Sequence, residues 1–507
     1  MGKAFEINLM DASGIGKVHN TSLKILEEIG FKIPYKPVLD VLKNNGAKVD
    51  YDLEVVKFPS GLVLDCLEKQ LKNNEVFFKK HPRYKEKSRN IKGWMSLGNT
   101  YEIFEPVSYE SRKSELADCV KAIILANELD NIGRISAFVV PNEYNYDEEM
   151  VDIIQYYLLY LYSKKRYFMG IVRKLNSAKC LIEMAKAVAE NEFQYQSGDL
   201  VEYELEAVRN LEYCKDHLPI AYEFAKNNFR LRTTHFACMG SNTPRSYASN
   251  ITLLNAHILA GITVIISLNP ENSFMEYISA SHMTKKEDHT LPLYGSPSQS
   301  LIAMLAKQMA DYYGFQVCYT NSNLSDSYLD DFQFGFEKGV SATIPRLVGF
   351  DHAGVEAITG VDEGSSFGRL VLADEFISYL NFIFSKEVPV NDDTIAYDLI
   401  KKVGVGGDFT EIKTPEDEMK KVYWDSDIFV REWYTEWSKK RQMTDDRIKE
   451  KIISLLRRNY PPKLVIEENR IQKLDEIINY YIKDKSFISR FKGDLEYVVK
   501  KLGVGLI

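Results

Sequence analysis

The chain has 507 residues, of which 45% are hydrophobic and 27% charged, an ordinary balance for a globular protein with a large core. Its 64 basic and 72 acidic residues leave a net charge of −8, which gives no electrostatic argument for binding nucleic acid or an anionic membrane. The six cysteines lie far apart without zinc spacing, and neither an export signal nor a membrane span is evident, so we expect a cytoplasmic protein without a metal site.

The predicted elements begin with a cap of helices and short strands. Residues 7–75 are amphipathic at helical spacing, and strand-like pieces are predicted at 55–59, 76–80 and 94–104. From about residue 115, helices alternate with short apolar strands, predicted at 134–141, 166–172, 232–240, 263–270, 315–321 and 346–354. The acidic stretch 195–215 has no assignment, and the tail from about residue 417 is predicted to form charged helices.

This alternation predicts an α/β fold with parallel strands. We expect a (β/α)8 TIM barrel at residues 111–415, an N-terminal helical and β cap at 1–110 that contributes to the barrel, and a C-terminal helical region at 416–507. An open doubly wound sheet is the alternative. No glycine-rich nucleotide-binding loop opens any of the helices, which favours the barrel.

Polar side chains follow the predicted strands, where a barrel collects its chemistry. His235 lies in the middle of a strand and is either a ligand or base facing the interior or a hydrogen-bonded core histidine. Asp351 and His352 point in opposite directions on a strand, so a shared role is not expected. Gln333 and Glu337 share one face of a helix, where Glu337 is either a buried group suited to a cation or a solvated residue.

Two further features of the sequence are open to a simple structural interpretation. Asp330 and Asp331 are interpreted as charges at a helix N-terminus, and Ser325 has no histidine at the spacing of a hydrolase triad. The 31 tyrosines reflect either a bias in composition or, for some of them, the walls of a pocket for an organic cation.

Five segments resemble, in order and at similar spacing, those of the trimethylamine–corrinoid methyltransferase family. The segments are VHNTSLKILEEIGFKI, TLLNAHILAGITVIISLNP, YGSPSQSLIAMLAKQMADYYGF, SDSYLDDFQFGFEKG and VNDDTIAYDLIKKVGVGGDF. The likeness runs over nearly the whole chain. It implies a (β/α)8 barrel enzyme that transfers a methyl group from a methylated amine to the Co(I) of a separate corrinoid protein.

The resemblance also implies a substrate class. Family members that act on trimethylamine carry pyrrolysine immediately before the Ser-Asp pair, and this chain has Leu324 there. We therefore expect a quaternary amine such as glycine betaine as substrate. The corrinoid (cobalamin) is supplied by the partner protein, and no cofactor is expected to be tightly bound to this chain. A homo-oligomer is also expected.

Candidate roles follow from the resemblance, although no catalytic residue is assigned. Asp326, Gln333 and Glu337 are candidates for binding the cationic head. Tyr294 and Phe334 are candidate aromatic walls, and helix spacing does not favour Phe334 over Phe336.

The chain departs from the family pattern near the expected mouth of the barrel. The departures are Ser298, Gly368, Arg369, Arg245, Tyr247 and Asp408. Either the substrate differs, with a carboxylate that Arg245 or Arg369 could pair with, or methyl transfer has been lost. The alternatives to a methyltransferase are a non-catalytic or sensory barrel that binds a methylated amine and a barrel enzyme of another chemistry, such as a lyase.

Overall fold

The computed structural model describes residues 7–84, 93–96, 100–106, 108–135, 139–144, 147–167, 172–319, 324–350, 352–413 and 415–502. The N-terminal elements are α1 (Ala12–Lys24), β1 (Phe31–Lys32), α2 (Lys36–Asn44), β2 (Lys48–Asp50), β3 (Val55–Lys57) and α3 (Ser60–Lys80).

The central part of the chain alternates strands with helices. Its elements are β4 (Gly93–Ser96), β5 (Glu102–Phe104), β6 (Ser111–Lys113), α4 (Leu116–Glu128), β7 (Ile132–Ile135), α5 (Glu148–Tyr162), β8 (Arg166–Tyr167), α6 (Leu175–Val188), α7 (Phe193–Gln196), β9 (Tyr203–Ala207), α8 (His217–Lys226), β10 (Leu231–His235), β11 (Ala237–Met239), α9 (Tyr247–Leu268), β12 (Tyr277–Ser279), β13 (Ser281–Thr284), β14 (Pro292–Leu293), α10 (Pro297–Tyr313), β15 (Val317–Tyr319), α11 (Phe332–Val348), β16 (His352–Glu356), β17 (Ile358–Thr359), β18 (Gly364–Ser365) and α12 (Phe367–Phe384).

The C-terminal part is helical, as the sequence predicts. Its helices are α13 (Asp392–Ile395), α14 (Tyr397–Val403), α15 (Glu416–Val422), α16 (Tyr434–Lys440), α17 (Thr444–Asn459), α18 (Glu468–Tyr481) and α19 (Phe487–Leu502).

Parallel strands form the central sheets. Six strands are ordered β12-β15-β16-β4-β7-β8, and every adjacent pair among them is parallel. β9 pairs in parallel with β10, and β11 pairs in parallel with β13. A mixed fold of helices and parallel strands is therefore confirmed. The described strands do not close into one sheet, so the eight-stranded barrel stays a prediction.

Three of the predicted strands differ from the observed elements. The strand predicted at 263–270 is wrong, because residues 263–268 form the last turns of α9 and the strands of that repeat are β12 and β13. The β-branched run in α9 is typical of a strand, whereas the helix is apolar on nearly all sides because it is buried. Residues 76–80 end α3, and residues 346–348 end α11 before β16 begins.

α9 also bears on the expectation that no segment spans a membrane. Within the described ranges, it is the one helix long and apolar enough for a span by length and composition, with 22 residues and a mean hydropathy of 2.0. In this fold, 78% of its apolar window is buried against protein. The buried core helix of a globular protein has the same length and composition as a membrane span.

A buried ion network lies at the amino ends of β9 and β10. The Arg230 guanidinium donates to the carboxylates of Glu202 and Glu276 at 2.5 Å each, and it stacks on Phe274 at 3.6 Å from the ring centre. Arg232 lies 3.1 Å from the other carboxylate oxygen of Glu202. All four charged side chains are essentially inaccessible to solvent. Each charge is paired, which offsets the high cost of removing it from water.

Candidate functional site

Three chain segments converge on Gly295, just before α10. Its φ is +67°, a backbone conformation that favours glycine. A Cβ atom at this position would lie 2.8 Å from the carbonyl oxygen of Leu324 and 2.9 Å from the side chain of Glu337. The glycine of the Gly-Ser-Pro motif is therefore needed to bring the segment after residue 323 and helix α11 together.

Tyr294 connects two acidic side chains beside this junction. Its backbone amide donates to Oδ1 of Asp326 at 3.0 Å, and its hydroxyl donates to Oδ2 of Asp362 at 2.5 Å. Asp362 lies in the turn between β17 and β18. The ring is buried and meets the imidazole of His282 edge to face, with 4.7 Å between their centres.

Glu337 is the third carboxylate of this cluster. Its Oε2 accepts from the Ser325 hydroxyl at 2.6 Å, and its Oε1 accepts from the side-chain amide of Gln333 at 3.0 Å. The predicted sharing of one helix face by Gln333 and Glu337 is confirmed. Glu337 is half-buried, between the two environments that the sequence left open.

The cluster carries negative charge that no basic side chain neutralises. In the described part of the chain, no lysine or arginine forms an ion pair with Asp326, Glu337 or Asp362. Burial, against the hydrogen bond from the Tyr294 amide and together with the nearby charges of Glu337 and Asp362, raises the pKa of the Asp326 carboxyl to about 6. Such a cluster favours a bound cation.

An apolar wall borders the carboxylates. Leu324 and Ile358 pack with Tyr294 into a small buried cluster, and the half-buried side chains of Phe236 and Val361 pack against it. Leu324, at the position where the resemblance implies pyrrolysine in enzymes that act on trimethylamine, is thus a buried wall residue. Residues 320–323, which follow β15 in the chain, lie outside the described residues, as does Asp351.

The sequence did not identify Glu206 as a candidate. β9 packs one face against α8, where the rings of Tyr203 and Phe224 lie 5.5 Å apart, and its opposite face carries Glu204 and Glu206. Glu204 pairs with Arg232 of β10 at 3.0 Å.

Glu206 is aligned with Thr234 of β10, on the face that leads to Phe236. No basic partner is described for Glu206, and burial, together with the charge of Glu204, raises the pKa of Glu206 to about 8. The buried Thr234 hydroxyl has no hydrogen-bond partner among the described residues. The alternating glutamates at 202, 204 and 206 are the sequence signal that could have revealed this strand face.

His235 has the second of its two predicted environments, that of a core histidine. Its Nδ1 donates to the carbonyl oxygen of Ala207 at 2.6 Å, and its ring stacks on His257 of α9 with 3.7 Å between ring centres. It therefore points to the helix side, away from Thr234 and Phe236. Burial lowers the pKa of His235 to about 4, which keeps the imidazole neutral at physiological pH.

Arg369 and Phe334 contact each other beside the segment that carries Asp326. The buried Arg369 pairs with Asp330 at 2.9 Å and donates to the carbonyl oxygens of Ser327 and Ile358 at 2.7 and 2.9 Å. Its guanidinium lies 4.5 Å from the centre of the Phe334 ring, which belongs to the main core. Because these contacts engage its donors, Arg369 does not fit the suggested pairing with a substrate carboxylate.

The two predicted aromatic walls lie in different hydrophobic clusters. Phe334 packs in the main core, whereas Tyr294 packs in the smaller cluster with Leu324 and Ile358. Asp331 caps α11 by accepting from the Phe334 amide, as a helix N-terminal charge should, whereas Asp330 is held by Arg369.

Two departures from the family pattern are in contact. The Tyr247 hydroxyl, at the start of α9, donates to the Ser298 hydroxyl at 3.1 Å, at the start of α10. Arg245 precedes them and is exposed; its guanidinium donates to the Lys285 carbonyl oxygen at 3.3 Å and folds over Gly240. Arg245 therefore remains accessible at the strand end after β11.

The described residues contain no group of three His, Cys, Asp or Glu side chains that could hold a metal ion. An organic cation, by contrast, binds through charge and ring faces and needs no coordinating ligands.

Comparisons with known proteins identify the family. The family model "Trimethylamine methyltransferase (MTTB)" matches residues 2–484. Relatives include a glycine betaine methyltransferase of Desulfitobacterium hafniense (strain Y51), 25% identical over 471 residues that cover 90% of this chain and 94% of the relative. A trimethylamine methyltransferase MttB of Desulfitobacterium hafniense (strain DSM 10664 / DCB-2) is 22% identical over 393 residues, covering 77% and 78%.

Among solved structures, the Methanosarcina barkeri monomethylamine methyltransferase (MtmB) aligns over 87% of this chain and 92% of its own, with a TM-score of 0.42 and 10% identity. From the family match, the chain is an enzyme of the methyltransferase class. It belongs to the trimethylamine methyltransferase family, which confirms the resemblance found in the sequence.

Proposed function

We propose that this protein transfers a methyl group from a quaternary amine, such as a betaine, to the Co(I) of a corrinoid protein. The observation that carries the proposal is the group of three carboxylates around Tyr294, which has no basic partner in the described part of the chain. Leu324 at the pyrrolysine position and a relative named glycine betaine methyltransferase support a quaternary amine over trimethylamine.

The chemistry demands little of the protein besides binding and aiming. The corrinoid partner supplies the Co(I) nucleophile, which takes the methyl carbon while the C–N electron pair leaves on nitrogen as a neutral tertiary amine. Asp326, Glu337 and Asp362 hold the positive head, and the ring of Tyr294 lies against it. Leu324 and Ile358 exclude water and fix the direction of the methyl group. No general acid is required, because the leaving amine is already neutral.

We further propose that the parallel strands close into a (β/α)8 barrel with this site at its carboxyl end. The chain order β4, β7, β8, then β9, β10, β12, β15 and β16 follows the sheet neighbours around such a barrel. The amide of Ala237 donates to the carbonyl oxygen of Ala280, which connects the strands after β10 and β12. Closure would require β8 to pair with β9, and residues 168–171 after β8 lie outside the described residues. Active sites of such barrels lie at the carboxyl ends of the strands.

The direct test is methyl transfer itself. The protein is incubated with a reduced corrinoid protein and a panel of quaternary amines, and methylation of the corrinoid is followed by its absorbance. Methylation from at least one quaternary amine, with the tertiary amine as coproduct, is expected. Binding of a quaternary amine without any methylation would favour the sensory alternative. If no quaternary amine binds and none methylates the corrinoid, the proposal is contradicted.

Replacement of Glu337 tests the acidic cluster. Glu337→Ala removes one of three charges from the binding site, and we expect kcat/KM for the amine to fall about tenfold or more. Glu287→Ala is the matched control, since Glu287 is an exposed glutamate in the loop after β13. Equal activity of the two variants would remove Glu337 from the site.

The affinity for a quaternary amine is expected to depend on pH. The pKa values of Asp326 and Glu206 are raised to about 6 and about 8, so both carboxyl groups are protonated and neutral in mildly acidic solution. A bound cation favours the ionised forms, so the affinity for the amine should increase as the pH rises from about 5 to 8 and then level off. Each carboxyl group should contribute an increase in affinity of up to about tenfold per pH unit. Calorimetry across this range measures it, and a constant dissociation constant would contradict the prediction.

The corrinoid partner is proposed to approach over α11. Phe332 and Phe336 on that helix are 86% and 61% exposed and stack on each other, with 6.0 Å between ring centres. They lie on the same helix as Gln333 and Glu337, which supports an approach of the partner along this helix.

A double substitution tests this approach. In Phe332→Ser/Phe336→Ser, the KM for the corrinoid protein should rise about tenfold while the KM for the amine stays unchanged, because exposed aromatics dominate such interfaces. Tyr480→Ser, at a 79% exposed position on α18, is the control. An unchanged KM for the corrinoid protein in the double variant would place docking elsewhere.

A further inference from the structure

Arg245 lies over the strand face that carries His282. The His282 ring meets two members of the apolar wall, since its centre lies 4.9 Å from that of Phe236 and 4.7 Å from that of Tyr294. Residues two apart on a strand share a face, so Thr284 of β13 lies on the same face as His282. Nη2 of Arg245 lies 3.5 Å from the Thr284 hydroxyl. The guanidinium therefore covers this face one row beyond His282, towards the carboxyl end of β13.

A glycine makes room for the arginine side chain. The φ of Gly240 is +95°, in the region that favours glycine, and a Cβ atom there would lie 2.5 Å from Nε of Arg245 and 2.7 Å from its Cζ. Nη2 also donates to the carbonyl oxygen of Lys285 at 3.3 Å. These contacts position the guanidinium over the backbone rather than leaving it to extend into solvent.

The guanidinium keeps most of its donors available. Both hydrogen bonds of the Arg245 side chain come from Nη2, so in the described part of the chain the N–H groups of Nε and Nη1 have no acceptor. Arg245 forms no ion pair with any described carboxylate, and the residue is exposed. An accessible guanidinium with free N–H groups is the side chain best suited to bind a carboxylate through two parallel hydrogen bonds.

Opposite charges are thus held near each other without pairing. Asp326, Glu337 and Asp362 surround Tyr294, and Arg245 lies one row beyond His282, which meets the Tyr294 ring. A pattern of negative groups at one end and a positive group at the other is the electrostatic complement of a zwitterion, a ligand with the same two charges in the reverse order.

The spacing of the two charged ends suits a betaine. Two residues along β13 span about 7 Å, and a guanidinium binds a carboxylate oxygen at about 2.8 Å. With the ammonium head against Tyr294, about 4 Å remain between the nitrogen of the ligand and its carboxylate oxygen. The three bonds that join these atoms in glycine betaine, of about 1.5, 1.5 and 1.2 Å, span at most about 4 Å. Glycine betaine is therefore the shortest betaine that bridges the two ends.

We propose that Arg245 binds the carboxylate of a zwitterionic quaternary amine and makes the enzyme selective for betaines over amines that carry only a positive charge. The inference rests on the proposed function, and it assigns Arg245 to specificity, since the acid group takes no part in methyl transfer. Arg245 is one of the positions at which the chain departs from the family pattern, so this selectivity belongs to this chain.

Calorimetry with two ligands tests the assignment. Glycine betaine and its carboxamide, betaine amide, carry the same trimethylammonium head, and only the former has a negative charge. Without any corrinoid protein present, the wild type should bind glycine betaine about tenfold or more tightly than the amide. Arg245→Gln should remove this preference and leave the affinity for the amide unchanged, which also shows that the variant is folded. Arg245→Lys should retain part of the preference, because lysine keeps the charge and loses the paired hydrogen bonds.

Arg209→Gln is the matched control. It makes the same change of charge at a 79% exposed side chain after β9, and it should keep the wild-type preference. Equal affinity of the wild type for the two ligands would overturn the inference and leave the proposed function standing, whereas binding of neither ligand would contradict both. An Arg245→Gln variant that retains the preference would also overturn the inference. If that variant in addition loses affinity for the corrinoid protein, Arg245 belongs to the contact with an anionic group of that partner.

Discussion

Glu206→Gln is expected to lower kcat/KM for the quaternary amine by about 10- to 100-fold. The carboxyl group lies on the face of β9 that is aligned with Thr234, and Phe236, two residues after Thr234, packs against the apolar wall of the site. It is the one acidic group on this face for which no basic partner is described, so a bound cation is its natural counter-charge. Glutamine keeps the shape of the side chain and removes that charge.

Two further readouts separate a binding role from a structural one. Since the pKa of Glu206 is raised, its ionised form is unfavourable in the folded chain, so glutamine should leave the free energy of unfolding unchanged or slightly higher near neutral pH. The upper part of the pH dependence of amine binding should also disappear in the variant. A less stable Glu206→Gln variant that retains wild-type affinity would assign Glu206 a purely structural role.

Arg230→Ala is expected to have the largest effect on stability, about 3–5 kcal/mol in the free energy of unfolding. The substitution leaves the buried carboxylates of Glu202 and Glu276 without the guanidinium that they share, and it removes the stacking on Phe274. Urea unfolding followed by circular dichroism measures the change.

Two further variants test whether the expected loss of stability comes from burial of the ion network. Arg209→Ala breaks an ion pair of a 79% exposed arginine with Glu212 and should cost less than about 0.5 kcal/mol. Arg230→Met combined with Glu202→Gln and Glu276→Gln removes the unpaired charges and should recover most of the loss. Equal effects of Arg230→Ala and Arg209→Ala would contradict the assigned role of the network.

The sequence predicted the parts of the site that follow the family motifs. Leu324 and Glu337 were named from family motifs at a strand end and on a helix face, and in the structure both lie against Gly295. The relation of Gln333 to Glu337 depends on helical spacing alone, so it was also predictable.

The remaining features depend on contacts that no local pattern contains. Whether His235 faces the interior or α9 is determined by the register of β10 with β9. Phe334 is buried by Arg369, a residue 35 positions away, while the adjacent Phe336 remains exposed. Glu206 was missed because acidic strands facing a polar interior lack the apolar alternation by which strands are recognised.

The central claim is that the site recognises positive charge, and one pair of ligands tests it directly. Glycine betaine and 3,3-dimethylbutanoate have the same shape and the same carboxylate, but only the former carries a positive nitrogen. Calorimetry on the wild-type protein should show binding of the quaternary amine and at least tenfold weaker binding of its neutral-headed analogue. Equal affinity for the two compounds would contradict the account.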